Sequence, residues 1–310
     1  MVRSTDEGIS WSAPETILDS DEDDRNPVLC QLADGTVVLT FSRCWTSGYG
    51  VDANHPEPID KHETFATRST NEGHTWEEPH RVPVPPGYAA TGSPGGGHKG
   101  IQLADGTALF SGGARRTLEV PIYGYPGIFR STNSGRSWGD FTEFDLGLCD
   151  EEVALLELPG GRLLAALRGG GAQLGGATLW LSESDNGGRT WSKPACKVTG
   201  EDHHPADLLL LSDGSVLLSF GNRNQPCGVR ALLSRDQGQT WDHHHTVVLV
   251  DNCAGRDCGY PTTLHLADGY LLTAYYRTRS ENPYFAGLGD TSIAACVKYR
   301  EADLIEALRT

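Results

Sequence analysis

The pattern Ser-x-Asx-x-Gly-x-(Ser/Thr)-Trp occurs five times in this 310-residue chain, at Ser4–Trp11, Ser69–Trp76, Ser131–Trp138, Ser184–Trp191 and Ser234–Trp241. An Asx side chain two residues before a glycine can bond nearby backbone amides while the glycine supplies a positive φ, so each copy reads as a self-capped turn. The Trp is expected to anchor the turn on an apolar layer beneath it. Successive copies begin 50 to 65 residues apart, which is the spacing of a repeat architecture.

A second repeat runs out of phase with the first. Apolar runs flank two-residue turns at Asp34-Gly35, Asp105-Gly106, Gly160-Gly161, Asp213-Gly214 and Asp268-Gly269. Such dipeptides between alternating hydrophobics mark tight hairpins, because both central residues need φ above zero. Each unit then reads strand A, hairpin turn, strand B, loop, strand C, Trp-terminated turn, strand D. Four antiparallel strands repeated radially make a β-propeller, so the chain is expected to be all β and to form one domain over residues 1–310. Only Asp303–Leu308 reads as helical.

The count of blades has two solutions. The first Trp turn has no A–B hairpin before it, and the last hairpin is followed by a strand C at Ile293–Tyr299 with no Trp turn. Either the ring has six blades with the first mostly missing, or a strand at Ala13–Leu18 closes a five-bladed ring.

The net charge of -16 disfavours nucleic acid and anionic membranes as partners. No apolar stretch is long enough to span a bilayer and the first residues carry no secretory signal, so a cytoplasmic location is expected. The eight cysteines show no metal-finger spacing and read as buried free thiols, with a Cys253–Cys258 disulfide conceivable in an oxidising compartment. His243-His244-His245 follows a Trp turn and reads as a solvated strand start. No metal and no cofactor are expected.

Every strand B ends in an arginine: Arg43, Arg115, Arg168, Arg223 and Arg277. Strand B runs away from the turns, so the five belong to the opposite end, where they would focus positive potential at one mouth. Pairing with rim carboxylates is the plainer explanation for any one of them. The top of strand A, seven to nine residues before the hairpin turn, holds Arg25-Asn26-Pro27, Gly96-Gly97-His98, Glu151-Glu152-Val153, His204-Pro205-Ala206 and Gly259-Tyr260-Pro261. These polar groups converge where a core would want apolar ones. They suit a polar, anionic small ligand, or else a hydrated axial channel.

The Trp turns resemble the Asp-boxes of the sialidase superfamily, six-bladed propellers that remove terminal sialic acids. The stretch Glu152 to Arg168 is similar to the family segment in which a catalytic Glu precedes a strand, a glycine turn and an arginine of the carboxylate-binding triad. Gly259-Tyr260-Pro261 resembles the segment carrying the tyrosine nucleophile, and Gly92 to Leu103 a glycine-rich stretch of the family. The resemblance implies that Tyr260 attacks and Glu152 takes its proton. It further implies that Arg168, with Arg230 or Arg223, clamps the sugar carboxylate, Arg230 being preferred for its distance along the chain from Tyr260. Arg25 stands in register for the family's first arginine, Asp52 or Asp60 for its general acid, and His98 and His204 would contact sugar hydroxyls.

The expected function is therefore an exo-acting glycosidase releasing sialic acid or a related 2-keto acid sugar from glycans. The alternatives are a propeller glycosidase or lyase on another glycan, and a noncatalytic glycan- or protein-binding propeller.

Overall fold

The computed structural model describes residues 1–44, 62–94, 99–116, 124–147, 152–169, 178–198, 203–278 and 292–307. They form five antiparallel sheets and one terminal helix. The first sheet holds β1 (Asp23–Gln31), β2 (Val37–Cys44), β3 (His62–Ser69) and β4 (His80–Arg81). The second holds β5 (Ala90–Pro94), β6 (Ile101–Gln102), β7 (Ala108–Arg115), β8 (Tyr125–Ser131) and β9 (Gly139–Glu143), with β5 and β6 both pairing with β7. The third runs β10 (Val153–Glu157), β11 (Leu163–Gly169), β12 (Thr178–Ser184), β13 (Ala195–Val198). The fourth runs β14 (His203–Leu210), β15 (Val216–Asn222), β16 (Gly228–Ser234), β17 (Val247–Val250). The fifth has three strands, β18 (Cys258–His265), β19 (Tyr270–Thr278) and β20 (Ser292–Arg300), and leads into α1 (Glu301–Ala307).

This is the meander read from the two repeats, and each sheet is a propeller blade. Two expectations fail: in the Asp-Gly hairpins only the glycine has positive φ, 83° at Gly35 and 86° at Gly214, and the Gly35 amide bonds Leu32 O at 2.9 Å, so these loops are longer than two residues; and Ala13–Leu18 forms no strand. That segment follows a turn whose flanks bond each other, Ser12 N to Arg3 O at 2.8 Å and Glu15 N to Met1 O at 2.8 Å. The chain clusters into two compact units, one of Met1–Thr16, Ala166–Leu181 and Ala195–Thr310, the other of Ile17–Ala165 and Ser182–Pro194.

The five boxes fold alike because each closes its own hydrogen bonds. In Ser131–Trp138, Ser131 Oγ donates to Asn133 Oδ1 at 2.9 Å, the Gly135 amide donates to Ser131 Oγ at 2.9 Å, and the Ser137 amide to Asn133 Oδ1 at 3.0 Å. The same three bonds recur at Ser4, Ser69, Ser184 and Ser234. The turn needs two successive left-handed residues: φ is 55° at Ser134 and 75° at Gly135, and 58° at Glu7 and 83° at Gly8. In four boxes the fourth position, Glu7, Glu72, Ser134 or Gln237, adopts positive φ without glycine, a strain of about 1–3 kcal/mol offset by the satisfied amides, and in the box at Ser184 it is Gly187. Trp138 and Trp241 are buried as expected, Trp138 standing edge-on to Phe110 at 4.7 Å, whereas Trp11 is 45% exposed.

The boxes at Ser131 and Ser184 also sit on the sheet before them. In the second unit, a Cβ on Gly135 would come 2.7 Å from the Val38 side chain of β2, and one on Gly188 would come 2.6 Å from Ile128 of β8. Bulk is excluded at these glycines by packing as well as by φ. The arginine just ahead of one box reaches into the next. Arg68, 1% exposed, donates to Ser134 O at 2.9 Å, and Arg130 donates to the Gly187 and Gly188 carbonyls. Glu183 occupies that position in the third sheet and pairs instead with Arg162 at 2.9 Å.

The first unit repeats the arrangement with its N-terminal box. Lys298 stands opposite Leu272, as Arg68 stands opposite Val38, and its ammonium bonds Glu7 at 3.3 Å. A Cβ on Gly8 would come 3.1 Å from Leu272. Ser4–Trp11 therefore seats on the fifth sheet as an internal box seats on the sheet preceding it.

Asp6 makes one box a pH sensor of stability. Hydrogen bonds from the Ser10 side chain and amide, then from Ser4, hold its carboxyl down at about 2, against 3.8 ordinarily. The ionised box is the stable form, so its contribution is complete above about pH 4 and is lost as the pH falls toward 2. Thermal unfolding of wild type and Asp6→Asn between pH 6 and 2 checks this. The wild-type Tm falls relative to the variant below about pH 4, and a constant difference contradicts the assignment.

Candidate functional site

The hairpin turns and boxes lie at one end of each sheet for which the register is defined, since Ser69 pairs with Val37, Ser131 with Ala108 and Ser234 with Val216. The arginines lie at the other end. Asp24 pairs with Arg43, Ala90 with Arg115 and Cys258 with Arg277, while Arg223 directly follows β15.

At this end the first strands of four sheets share a bulge. Register slips between Arg25 and Val28 in β1, Thr91 and Pro94 in β5, His203 and Ala206 in β14, and Gly259 and Thr262 in β18. Each slip contains or adjoins a proline, Pro27, Pro94, Pro205 or Pro261, which has no N–H to give the ladder and biases the residue before it out of the helical region. A bulge re-aims the side chain it carries. Two of the bulged residues, Asn26 and Tyr260, have φ of 55° and 52°. For an aromatic residue this is a real departure from preferred backbone, and such departures gather at functional sites.

Tyr260 is the centre of a polar cluster within the first unit. Arg168 Nη1 donates to the Tyr260 hydroxyl at 3.2 Å. The Tyr260 and Tyr276 rings lie 5.4 Å apart at 56°. The Tyr276 hydroxyl donates to Asp257 Oδ1 and accepts from Arg223 Nη2 at 3.4 Å. Burial raises the Tyr276 phenol above its ordinary range and the Asp257 hydrogen bond adds to the rise, while Arg223 opposes both. Tyr276 is thus held as the protonated phenol. The guanidinium donor on Tyr260 stabilises negative charge at that oxygen as its proton leaves.

The sequence-derived residues divide as follows. Tyr260, Arg168 and Arg223 come together. The Arg230 guanidinium donates to the carbonyls of Val229 and Val250 and, at 3.0 Å, of Pro226. It holds that loop, and of the two arginines flanking the loop Arg223 is the one that touches the tyrosine pair. Arg25 and Glu152 belong to the second unit, where Arg25 pairs with Asp23 and partly buried Glu152 immediately precedes β10. Arg43 bonds Asp24 at 3.1 Å and lies 4.6 Å from the Phe65 ring, so for this member of the arginine set a local carboxylate partner is the finding. His204 stands in the β14 bulge, its side chain outside the described residues. Asp52, Asp60 and His98 lie outside the described residues altogether.

Tyr276 and Asp257 were not singled out from the sequence. Tyr275-Tyr276-Arg277 ends a strand B as the other arginines do, and that was the available signal. Of the cysteines, Cys30, Cys44, Cys227, Cys253 and Cys258 are buried free thiols and Cys296 is partly buried. His243-His244-His245 is exposed, with His245 bonding Asp242 at 2.8 Å. Among the described residues no helix is long and apolar enough to cross a membrane.

Arg230 is expected to support its loop. Arg230→Met leaves buried carbonyls without their donor and lowers stability by about 1–3 kcal/mol, more than Arg223→Met, which gives up one hydrogen bond to Tyr276. Thermal unfolding of the two variants checks this, and an unchanged Tm for Arg230→Met contradicts the assignment.

Residues 1–272 match the family described as BNR repeat-like domain. A sialidase of Bacteroides fragilis (strain YCH46) is 28% identical over 250 residues, covering 76% of this chain but 42% of that protein, so the chain spans less than half its length. The fold resembles that of a Dyadobacter fermentans DSM 18053 protein of unknown function, with a TM-score of 0.75 and 22% identity over 96% of this chain and 83% of that one. It also resembles the intramolecular trans-sialidase of Ruminococcus gnavus, with a TM-score of 0.70 and 15% identity over 98% of this chain and 88% of that one. The Asp-box repeats, the five blade-like sheets and the family match agree: this chain is an Asp-box propeller of the sialidase superfamily, and it belongs to the BNR repeat-like family.

Proposed function

We propose that the protein is an exo-acting glycosidase of the sialidase type, releasing a terminal sialic acid or related 2-keto acid sugar through Tyr260. The observation that carries the reading is the Arg168–Tyr260 hydrogen bond, with Arg223 held beside it on Tyr276. Each of these arginines spends one N–H on a phenol oxygen and has further N–H groups to give a carboxylate, the group that distinguishes a 2-keto acid sugar from neutral sugars. The sialidase relatives support the substrate class.

The chemistry favours a phenol. Departure of the aglycone leaves an oxocarbenium-like centre next to the sugar carboxylate, where an anionic nucleophile is repelled and a neutral tyrosine is not. The Tyr260 oxygen forms a bond to the anomeric carbon as the bond to the leaving oxygen breaks, and the phenolic proton passes to a base. The resemblance assigns that base to Glu152 and the proton on the leaving oxygen to Asp52. Water then cleaves the tyrosyl-sugar bond. A neutral glycan leaves the arginines without a role.

We further read Ser4–Trp11 as the box of a sixth blade. The reading rests on Lys298 and Leu272 receiving it at the register where Arg68 and Val38 receive the box at Ser131.

The wild-type protein is expected to release sialic acid from an aryl sialoside. Tyr260→Phe loses on the order of a thousandfold or more in kcat while still binding a 2,3-didehydro sialic acid. Arg168→Ala weakens that binding by about ten- to a hundredfold. Turnover retained by Tyr260→Phe excludes the nucleophile, and cleavage of neutral glycosides in preference to sialosides excludes the substrate class.

A further inference from the structure

We infer that Tyr276, held by Asp257, is a positioning residue for this site: its hydroxyl orients Arg223 toward the sugar carboxylate and its ring sets the orientation of Tyr260. The inference rests on the function proposed above. A phenol has one proton to give. Tyr276 gives it to Asp257, so the side of the oxygen facing Arg223 is a lone pair, and the guanidinium donates into it. Arg223 Nε is buried and finds no partner among the described residues. The direction of the guanidinium therefore depends on the Tyr276 contact.

Asp257 is in turn fixed by its loop. The Thr278 amide donates to the Asp257 carbonyl at 3.3 Å and the Cys258 amide to the Arg256 carbonyl at 3.0 Å. The Cys253 amide donates to the Cys227 carbonyl at 3.2 Å, and the Cys258 thiol points to the Asn222 carbonyl at 4.0 Å. These buried thiols pack with Val229 and Val250 and with the partly buried Tyr275 and Val297. The loop is thus sewn to β19 on one side and to the segment after Arg223 on the other. Tyr260 has its backbone in the left-handed region, and the Tyr276 ring, 5.4 Å away and inclined at 56°, is a wall beside its ring.

Three variants test the inference. Tyr276→Phe keeps the ring and removes the hydroxyl, Asp257→Ala removes the acceptor, and Asp257→Asn keeps an acceptor oxygen without the charge. Each is assayed for kcat and KM on an aryl sialoside, for Tm, and for the rate of phenylglyoxal labelling of Arg223 mapped by peptide mass spectrometry, which needs no substrate. Tyr276→Phe and Asp257→Ala are expected to raise KM roughly tenfold, the value of one charge-assisted hydrogen bond, with a much smaller change in kcat. Both label faster at Arg223, and Asp257→Asn stays near wild type in both readouts. An unchanged KM with unchanged labelling overturns the inference, as does Asp257→Asn behaving like Asp257→Ala. If Tyr276→Phe does not fold, the two Asp257 variants decide. If wild type turns over no sialoside, the proposed function falls while the labelling still decides whether Tyr276 orients Arg223.

Discussion

The Asp-box turn is the constraint from which the rest of the molecule follows. Two consecutive left-handed residues are unfavourable, and they persist because a Ser and an Asx side chain satisfy the amides that the turn exposes. The turn has a second task, to be small enough at its glycine to lie on the preceding sheet, where Val38 and Ile128 leave no room for a Cβ at Gly135 and Gly188. Arg68 and Arg130 then donate from within the protein into carbonyls of the next box, which sets sheet against sheet in one register. Breaking a buried donor of this kind costs more than the bond is worth, because the carbonyls and the charge are both left unpaired.

With one end of every sheet committed to turns, the other end is free to depart from regular structure. The departure is a bulge near the start of a sheet's first strand, with proline in or beside it in each described case. The same backbone device presents Asn26 in one blade and Tyr260 in another, both at positive φ. Chemistry is then a matter of what stands at the bulge and what stands opposite it. At Tyr260 the neighbours are Arg168, Tyr276 and, through Tyr276, Arg223 and Asp257. Of the two phenols, one is kept protonated by burial and a carboxylate acceptor, and the other is met by a cation.

Much of this was legible from residue types alone, since the box pattern and the hairpin dipeptides place the strands and Arg168, Arg223 and Tyr260 fall at the ends of those strands. What escaped is what depends on direction rather than position. Arg223 and Arg230 flank one loop, and chain distance favoured Arg230, but its guanidinium points to the carbonyls of Pro226, Val229 and Val250. Tyr276 reads as one more aromatic residue of a strand; only the bulge, which is invisible to period-two alternation, brings Tyr260 beside it. Arg68 and Arg130 stand next to box serines in the sequence, but their reach into the following box is a tertiary contact. The segment Ala13–Leu18 forms no strand, and its Glu15 amide bonds back across the box to Met1 O at 2.8 Å.

A crystal structure of the protein soaked with 2,3-didehydro sialic acid tests the central claim most directly. The account requires the sugar carboxylate within hydrogen-bonding distance of both the Arg168 and Arg223 guanidinium groups, and the Tyr260 oxygen directed at the anomeric carbon. A sugar bound at the box end of the sheets, or one whose carboxylate is held without Arg168 and Arg223, contradicts it.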